Sequence, residues 1–183
     1  MQFTDPHLTG SPEMRVRGVA TAETLARCIK HARRRHPRPD AVLLTGDLVH
    51  DDPGGYALLR GQFEDGSAPV HCIPGNHDDP ADVSGALDGP PFVHDFARRY
   101  GAWMFVMLDS TIAGEHGGHL DAEELARLDA ALGGQPDAHA LVCLHHHPVP
   151  HGSAWLDGLM LDNAADFFAV LARHGNARGI AWG

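Results

Sequence analysis

The chain alternates short runs of consecutive apolar residues with stretches in which apolar positions recur every three or four residues. Ala41-Val42-Leu43-Leu44-Thr45, Val70-His71-Cys72-Ile73, Trp103-Met104-Phe105-Val106-Met107-Leu108, Leu141-Val142-Cys143-Leu144 and Gly179-Ile180-Ala181-Trp182 are runs of the first kind. The first ends at Gly46 and the second at Pro74-Gly75, and continuous runs of this length predict β-strands covered on both faces. A further short strand is expected just before Asp5. The second pattern predicts helices. Ala22 to Arg35 sets Leu25, Ala26, Ile29 and Ala32 at helical spacing. Asp121 is placed to cap a helix bearing Leu125, Leu128 and Leu132, with Glu124 at the capping-box position and Gly133-Gly134 as its stop. Asp162 is placed to cap another, bearing Phe167, Phe168, Val170 and Leu171 and stopping at Gly175. Strands alternating with helices predict an α/β fold.

Composition narrows the function. A length of 183 residues fits one domain, or two small ones at most. Fourteen Lys+Arg against 24 Asp+Glu give a net charge of −10, which disfavours bulk nucleic-acid binding. An anionic substrate would then need a local positive charge, and bound metal ions are the usual source. The basic run Arg33-Arg34-Arg35-His36-Pro37-Arg38 falls at the end of the first predicted helix, where cations complement the helix dipole. No apolar run approaches the roughly 18 residues of a membrane span. The N-terminus lacks a basic region followed by an apolar one, so a cytoplasmic location is the expectation. Cys28, Cys72 and Cys143 are widely spaced and read as small core residues in a reducing compartment. A homodimer stays open as the assembly state.

The chemistry gathers after the strands. Asp5-Pro6-His7 follows the first, Gly46-Asp47 the second, Gly75-Asn76-His77-Asp78 the third, and His145-His146-His147-Pro148 a later one. Open α/β sheets bind ligands beyond the carboxyl ends of their strands. Carboxylates, an amide and imidazoles at four strand ends suit metals that prefer oxygen and nitrogen, namely Mn²⁺, Fe²⁺/Fe³⁺ or Zn²⁺. A carboxylate such as Asp47 has two oxygens and can bridge two ions, as two-metal hydrolases require.

On the stretches Thr4-Asp5-Pro6-His7-Leu8, Thr45-Gly46-Asp47-Leu48, Pro74-Gly75-Asn76-His77-Asp78, Leu108-Asp109-Ser110 and Leu144-His145-His146-His147-Pro148, the chain resembles the calcineurin-like metallophosphoesterases. Within that superfamily it is similar to the bacterial class III 3′,5′-cyclic-nucleotide phosphodiesterases, and Ser153-Ala154-Trp155-Leu156-Asp157 resembles a segment of the cyclic-AMP subgroup. The resemblance implies a four-layer α/β/β/α sandwich of two mixed sheets. It implies two metal ions, with Asp5 and His7 on the first, Asp47 bridging, and Asn76 and His146 on the second. His145 and His147 are the alternatives to His146. His77 would not bind metal but would stabilise the phosphate charge or protonate the leaving oxygen, oriented by Asp78. The implied reaction is attack of metal-generated hydroxide on a small phosphodiester such as cyclic AMP. Trp155 could stack on the base or serve as a core or lid aromatic.

The family closes its ligand set with Gly-His-x-His, whereas the present sequence runs Gly179-Ile180-Ala181-Trp182-Gly183 and stops. The expectation is therefore a single domain over 1–183 that is cut at both ends, incomplete on its C-terminal side, weak in metal binding and apolar at the missing edge. Two alternatives carry different chemistry. One is a phosphomonoesterase or broad-specificity diesterase on the same two-metal core, and the other a metal-poor scaffold that keeps the fold for protein binding.

Overall fold

A computed structural model describes every residue except Asp65 and Ser67. The chain divides into two compact units, Met1–His94 and Asp95–Gly183. The first holds β1 (Gln2–Phe3), α1 (Thr21–Arg35), β2 (Val42–Thr45), α2 (Gly55–Phe63), β3 (Val70–Ile73), α3 (Pro80–Ala86) and β4 (Phe92–Val93). Its sheet has the order β1-β2-β3-β4 and every neighbouring pair is parallel. Sequence reasoning expected two mixed sheets, and this one is not mixed. The reason is the connections: α1, α2 and α3 each return the chain to the starting edge, which makes successive strands parallel. Leu25 and Ile29 of α1, Tyr56, Leu59 and Phe63 of α2, and Val83 of α3 bury themselves with Val42, Leu44, Val70 and Cys72 of the sheet.

The second unit holds β5 (Ala97–Tyr100), β6 (Trp103–Met107), α4 (Ala122–Gly134), β7 (His139–Cys143), α5 (Ala154–Asp157), α6 (Ala164–Leu171) and β8 (Ala177–Ala181). Its sheet, β5-β6-β7-β8, is mixed as expected: β5 pairs antiparallel to β6, and the remaining pairs are parallel. β5 escaped the sequence pattern because Ala97-Arg98-Arg99-Tyr100 has no apolar run. It is a charged edge strand, held in register by a two-residue turn in which Gly101 takes φ 60°. Leu128 and Leu132 of α4 and Phe167 and Val170 of α6 join Met104, Val106, Ala140 and Val142 in one core. Leu128 has no exposed surface. Leu128→Ala should therefore destabilise the unit by about 2–5 kcal/mol, read as a lower urea midpoint.

Two caps differ from the sequence pattern in an instructive way. Asp121 caps α4 through Glu124 N–H at 2.8 Å, but the Glu124 carboxylate does not complete a capping box. It accepts the Asp109 N–H at 2.8 Å and pairs with Arg127 at 2.9 Å, because a long-range donor lies within its reach. The cap residue of α6 is Asn163 and not Asp162, whose carboxylate meets His119 Nδ1 at 2.7 Å. The basic run does close α1, with Arg33, Arg34 and Arg35 in its last turn. Of the cysteines, Cys72 and Cys143 are buried, and burial pushes the Cys143 thiol up to about 12, which disfavours its thiolate. Cys28 is exposed, contrary to the core reading, because the buried stripe of α1 runs through Leu25 and Ile29 and leaves it on the flank. No helix among the described residues is long and apolar enough to cross a membrane.

Candidate metal centre

In the first unit, the pairing of β1 with β2 continues past both strand ends. Asp5 N–H donates to Gly46 O at 3.1 Å, His7 N–H to Asp47 O at 3.0 Å, and Leu8 N–H to Leu48 O at 3.0 Å. The two loops run side by side, so residues about forty positions apart in sequence become neighbours. His7 Nε2 lies 3.5 Å from Asp47 Oδ2 and 4.0 Å from Asp5 Oδ1. One ligand atom from each of Asp5, His7 and Asp47 lies within 4.8 Å of the others. The third loop joins from β3, which is in register with β2 through Thr45 and Ile73. There His77 N–H donates to Asp47 Oδ1 at 3.0 Å, and Asn76 lies half-buried in the same turn.

The backbone is held in an uncommon shape to achieve this. Asp5, His7, Asp47 and Asp51 have φ of 53°, 44°, 50° and 54°, four of the five non-glycine residues with positive φ among the described residues. Left-handed backbone costs an ordinary L-residue roughly 1–2 kcal/mol and gathers where function over-determines the geometry. Burial pushes the His7 imidazole below its ordinary pKa, against the pull of Asp47, and so favours the neutral ring that binds cations. Two carboxylates, a neutral imidazole and an adjacent amide make an oxygen–nitrogen donor set with no thiolate. That set fits Mn²⁺, Fe²⁺ or Zn²⁺.

The neighbour of His77 departs from the sequence reading. His77 Nδ1 meets Asp51 Oδ1 at 2.9 Å, so Asp51, and not Asp78, has the orienting geometry. Asp78 turns inward instead. Its carboxylate accepts the N–H groups of Leu48, Val49 and Gly75 and the Tyr56 hydroxyl, at 2.9–3.1 Å. It thereby ties the loop after β2 to the turn after β3. Burial raises its pKa and these donors oppose the rise. His50 is the other residue missed: its ring lies 5.1 Å from that of His7 and 4.8 Å from that of His77. The available signal was its place on the loop that carries Asp47 and Asp51, three residues past Asp47.

In the second unit, β7 ends at Cys143 and delivers three buried histidines, His145, His146 and His147. His146 is the most constrained. Its Nδ1 lies 2.8 Å from the fully buried Ser110 Oγ, which also accepts the His146 N–H at 3.3 Å. With Nδ1 engaged, Nε2 is the nitrogen through which this ring would bind a cation. Gly118 closes one side, since a Cβ there would stand 2.3 Å from His146 Cγ. Gly118→Ala should push the ring away and lower metal-dependent turnover roughly 10–100-fold, the range for residues that orient a ligand. Steady-state kinetics with Mn²⁺ would check it. The His147 ring meets His151 edge-on at 4.6 Å, and burial pushes its pKa down. Trp155 stands on α5 with 66% of its surface exposed, which excludes a core role.

A sequence model of the calcineurin-like phosphoesterases matches residues 1–183. The chain belongs to that family. This phosphoesterase is 33% identical over its whole length to 67% of the 3′,5′-cyclic adenosine monophosphate phosphodiesterase CpdA of Pseudomonas aeruginosa. It is 35% identical, again over its whole length, to 68% of the CpdA of Haemophilus influenzae. A 3′,5′-cyclic-nucleotide phosphodiesterase of Nostoc is 31% identical over 100% of this chain and 69% of its own. The phosphoesterase thus spans about two thirds of the length of these relatives. A dimetal phosphatase from Danio rerio shares its fold, with a TM-score of 0.73 at 14% identity over 99% of this chain and 78% of the other.

Proposed function

We propose that this phosphoesterase hydrolyses phosphodiester bonds of small 3′,5′-cyclic nucleotides such as cyclic AMP with the help of divalent metal. The observation that carries the reading is the convergence of Asp5, His7 and Asp47 donor atoms beside the His77–Asp51 pair. The names of the similar proteins support the substrate class. Asp5 and His7 are proposed to hold one cation, with Asp47 shared between two and Asn76 on the other. His146 is proposed as the cation ligand that the second unit presents, Nε2 first. Bound metal supplies Lewis-acid polarisation of a phosphoryl oxygen and a lowered pKa of water.

The remaining work falls to the chain's own side chains. Asp51 meets Nδ1 of His77, and Nε2 is proposed as the nitrogen that faces the phosphate. From there a protonated His77 either shares its proton with a non-bridging oxygen or gives it to the departing 3′ oxygen. Trp155, exposed on α5, is available to stack on a nucleobase.

The test is turnover of cyclic AMP, bis-p-nitrophenyl phosphate and p-nitrophenyl phosphate by the full gene product, with Mn²⁺ and with EDTA. Manganese-dependent hydrolysis of both diesters, faster than that of the monoester, is expected. A preference for the monoester would move the assignment to a phosphomonoesterase. No metal-dependent turnover on any of the three would overturn it.

A further inference from the structure

His50 is absent from the ligand set proposed above, yet it touches two of the groups on which that set depends. Its Nδ1 lies 3.3 Å from His7 Nδ1, and its ring lies 4.8 Å from that of His77 at a 35° tilt. The two nitrogens of His7 therefore face different surroundings. Nε2 points to the carboxylates of Asp47 and Asp5, at 3.5 and 4.0 Å. Nδ1 points to His50.

We propose that His50 is a positioning residue that fixes the tautomer and the ring orientation of His7, so that Nε2 presents its lone pair to the cation site. Two imidazole nitrogens can share a hydrogen bond only if one carries the proton and the other accepts it. A neutral ring that ligates through Nε2 must carry its proton on Nδ1. That Nδ1–H then needs an acceptor, and His50 Nδ1 stands at the hydrogen-bond position. Metal-bound histidines ordinarily give this proton to a carboxylate, a carbonyl or water, and the partner raises ligand basicity while locking the ring. Here another imidazole takes that place. The φ of 44° at His7 adds to the need, because its ring hangs from a backbone with few alternatives.

The proposal rests on the reading of Asp5, His7 and Asp47 as a cation site, and the experiment separates the two. Mn²⁺ binding to the full gene product is titrated calorimetrically for the wild type, His50→Ala, His50→Leu and His50→Asn, alongside thermal melting of each metal-free protein. The asparagine Oδ1 occupies the position of His50 Nδ1 and can accept the same proton. Mn²⁺ affinity should fall roughly 10–100-fold in His50→Ala and His50→Leu and return to within a few-fold of wild type in His50→Asn. The metal-free melting temperatures should stay alike, since His50 is only half-buried. Unchanged affinity in His50→Ala and His50→Leu, or equal losses in all three variants, would overturn the positioning role. A wild-type chain that takes up no Mn²⁺ would overturn the cation site with it.

Discussion

Asp47→Asn should abolish Mn²⁺-dependent turnover while leaving the chain folded. Asp47 is buried, takes the His77 N–H on Oδ1 at 3.0 Å and faces His7 Nε2 with Oδ2 at 3.5 Å. Asparagine keeps an oxygen for the first contact but loses the charge and the second oxygen. The replacement also suits the backbone, because asparagine is among the few residues that tolerate a φ near 50°. The loss should exceed the roughly 10–100-fold that outer partners of a metal site are worth. Turnover on bis-p-nitrophenyl phosphate and Mn²⁺ titration, with circular dichroism as the folding control, would show it. A variant that retains half the wild-type rate would remove Asp47 from the centre.

The second large effect concerns His77 and separates its two candidate roles. His77→Ala should lower cyclic AMP turnover by roughly 10²–10⁴-fold, the usual contribution of a placed proton donor. Mn²⁺ affinity should stay near wild type, since His77 is not among the proposed ligands. The comparison with bis-p-nitrophenyl phosphate decides the role. A nitrophenolate departs readily without a proton, whereas the ribose 3′ oxygen does not. If His77 protonates the leaving oxygen, the synthetic diester should lose far less than cyclic AMP. If His77 stabilises charge on the phosphoryl oxygens, both substrates should lose alike. Asp51→Asn should follow the same pattern at smaller size, because Asp51 acts through the His77 ring at 2.9 Å. Loss of Mn²⁺ binding in His77→Ala would instead make the imidazole a ligand.

Strands β2, β3, β6, β7 and β8 were legible as apolar runs, and α1, α4 and α6 as periodic ones, because burial against a sheet writes a local pattern. The candidate residues at the strand ends were legible for a similar reason, since each loop carries its chemical groups within two to four positions of a strand end. Elements without an apolar pattern were not legible. The edge strand β5 is rich in arginine, and α2 and α3 begin at glycine and proline.

What the sequence by itself determined is the inventory: an α/β chain whose strands end in carboxylates, an amide and histidines. Only the tertiary structure decided which of them meet. Asp51 faces His77 across a separation of 26 residues, and Asp78 closes on Leu48 across 30. His50 meets His7 across 43, and Ser110 holds His146 across 36. The pairings in the first unit depend on parallel strands in fixed register and on left-handed backbone at Asp5, His7, Asp47 and Asp51 that aims the side chains, and that of Ser110 with His146 depends on the parallel register of β6 and β7. Register is a property of two strands together, and a turn's handedness at aspartate or histidine is imposed by its surroundings, so neither is written in the run of residues that carries it.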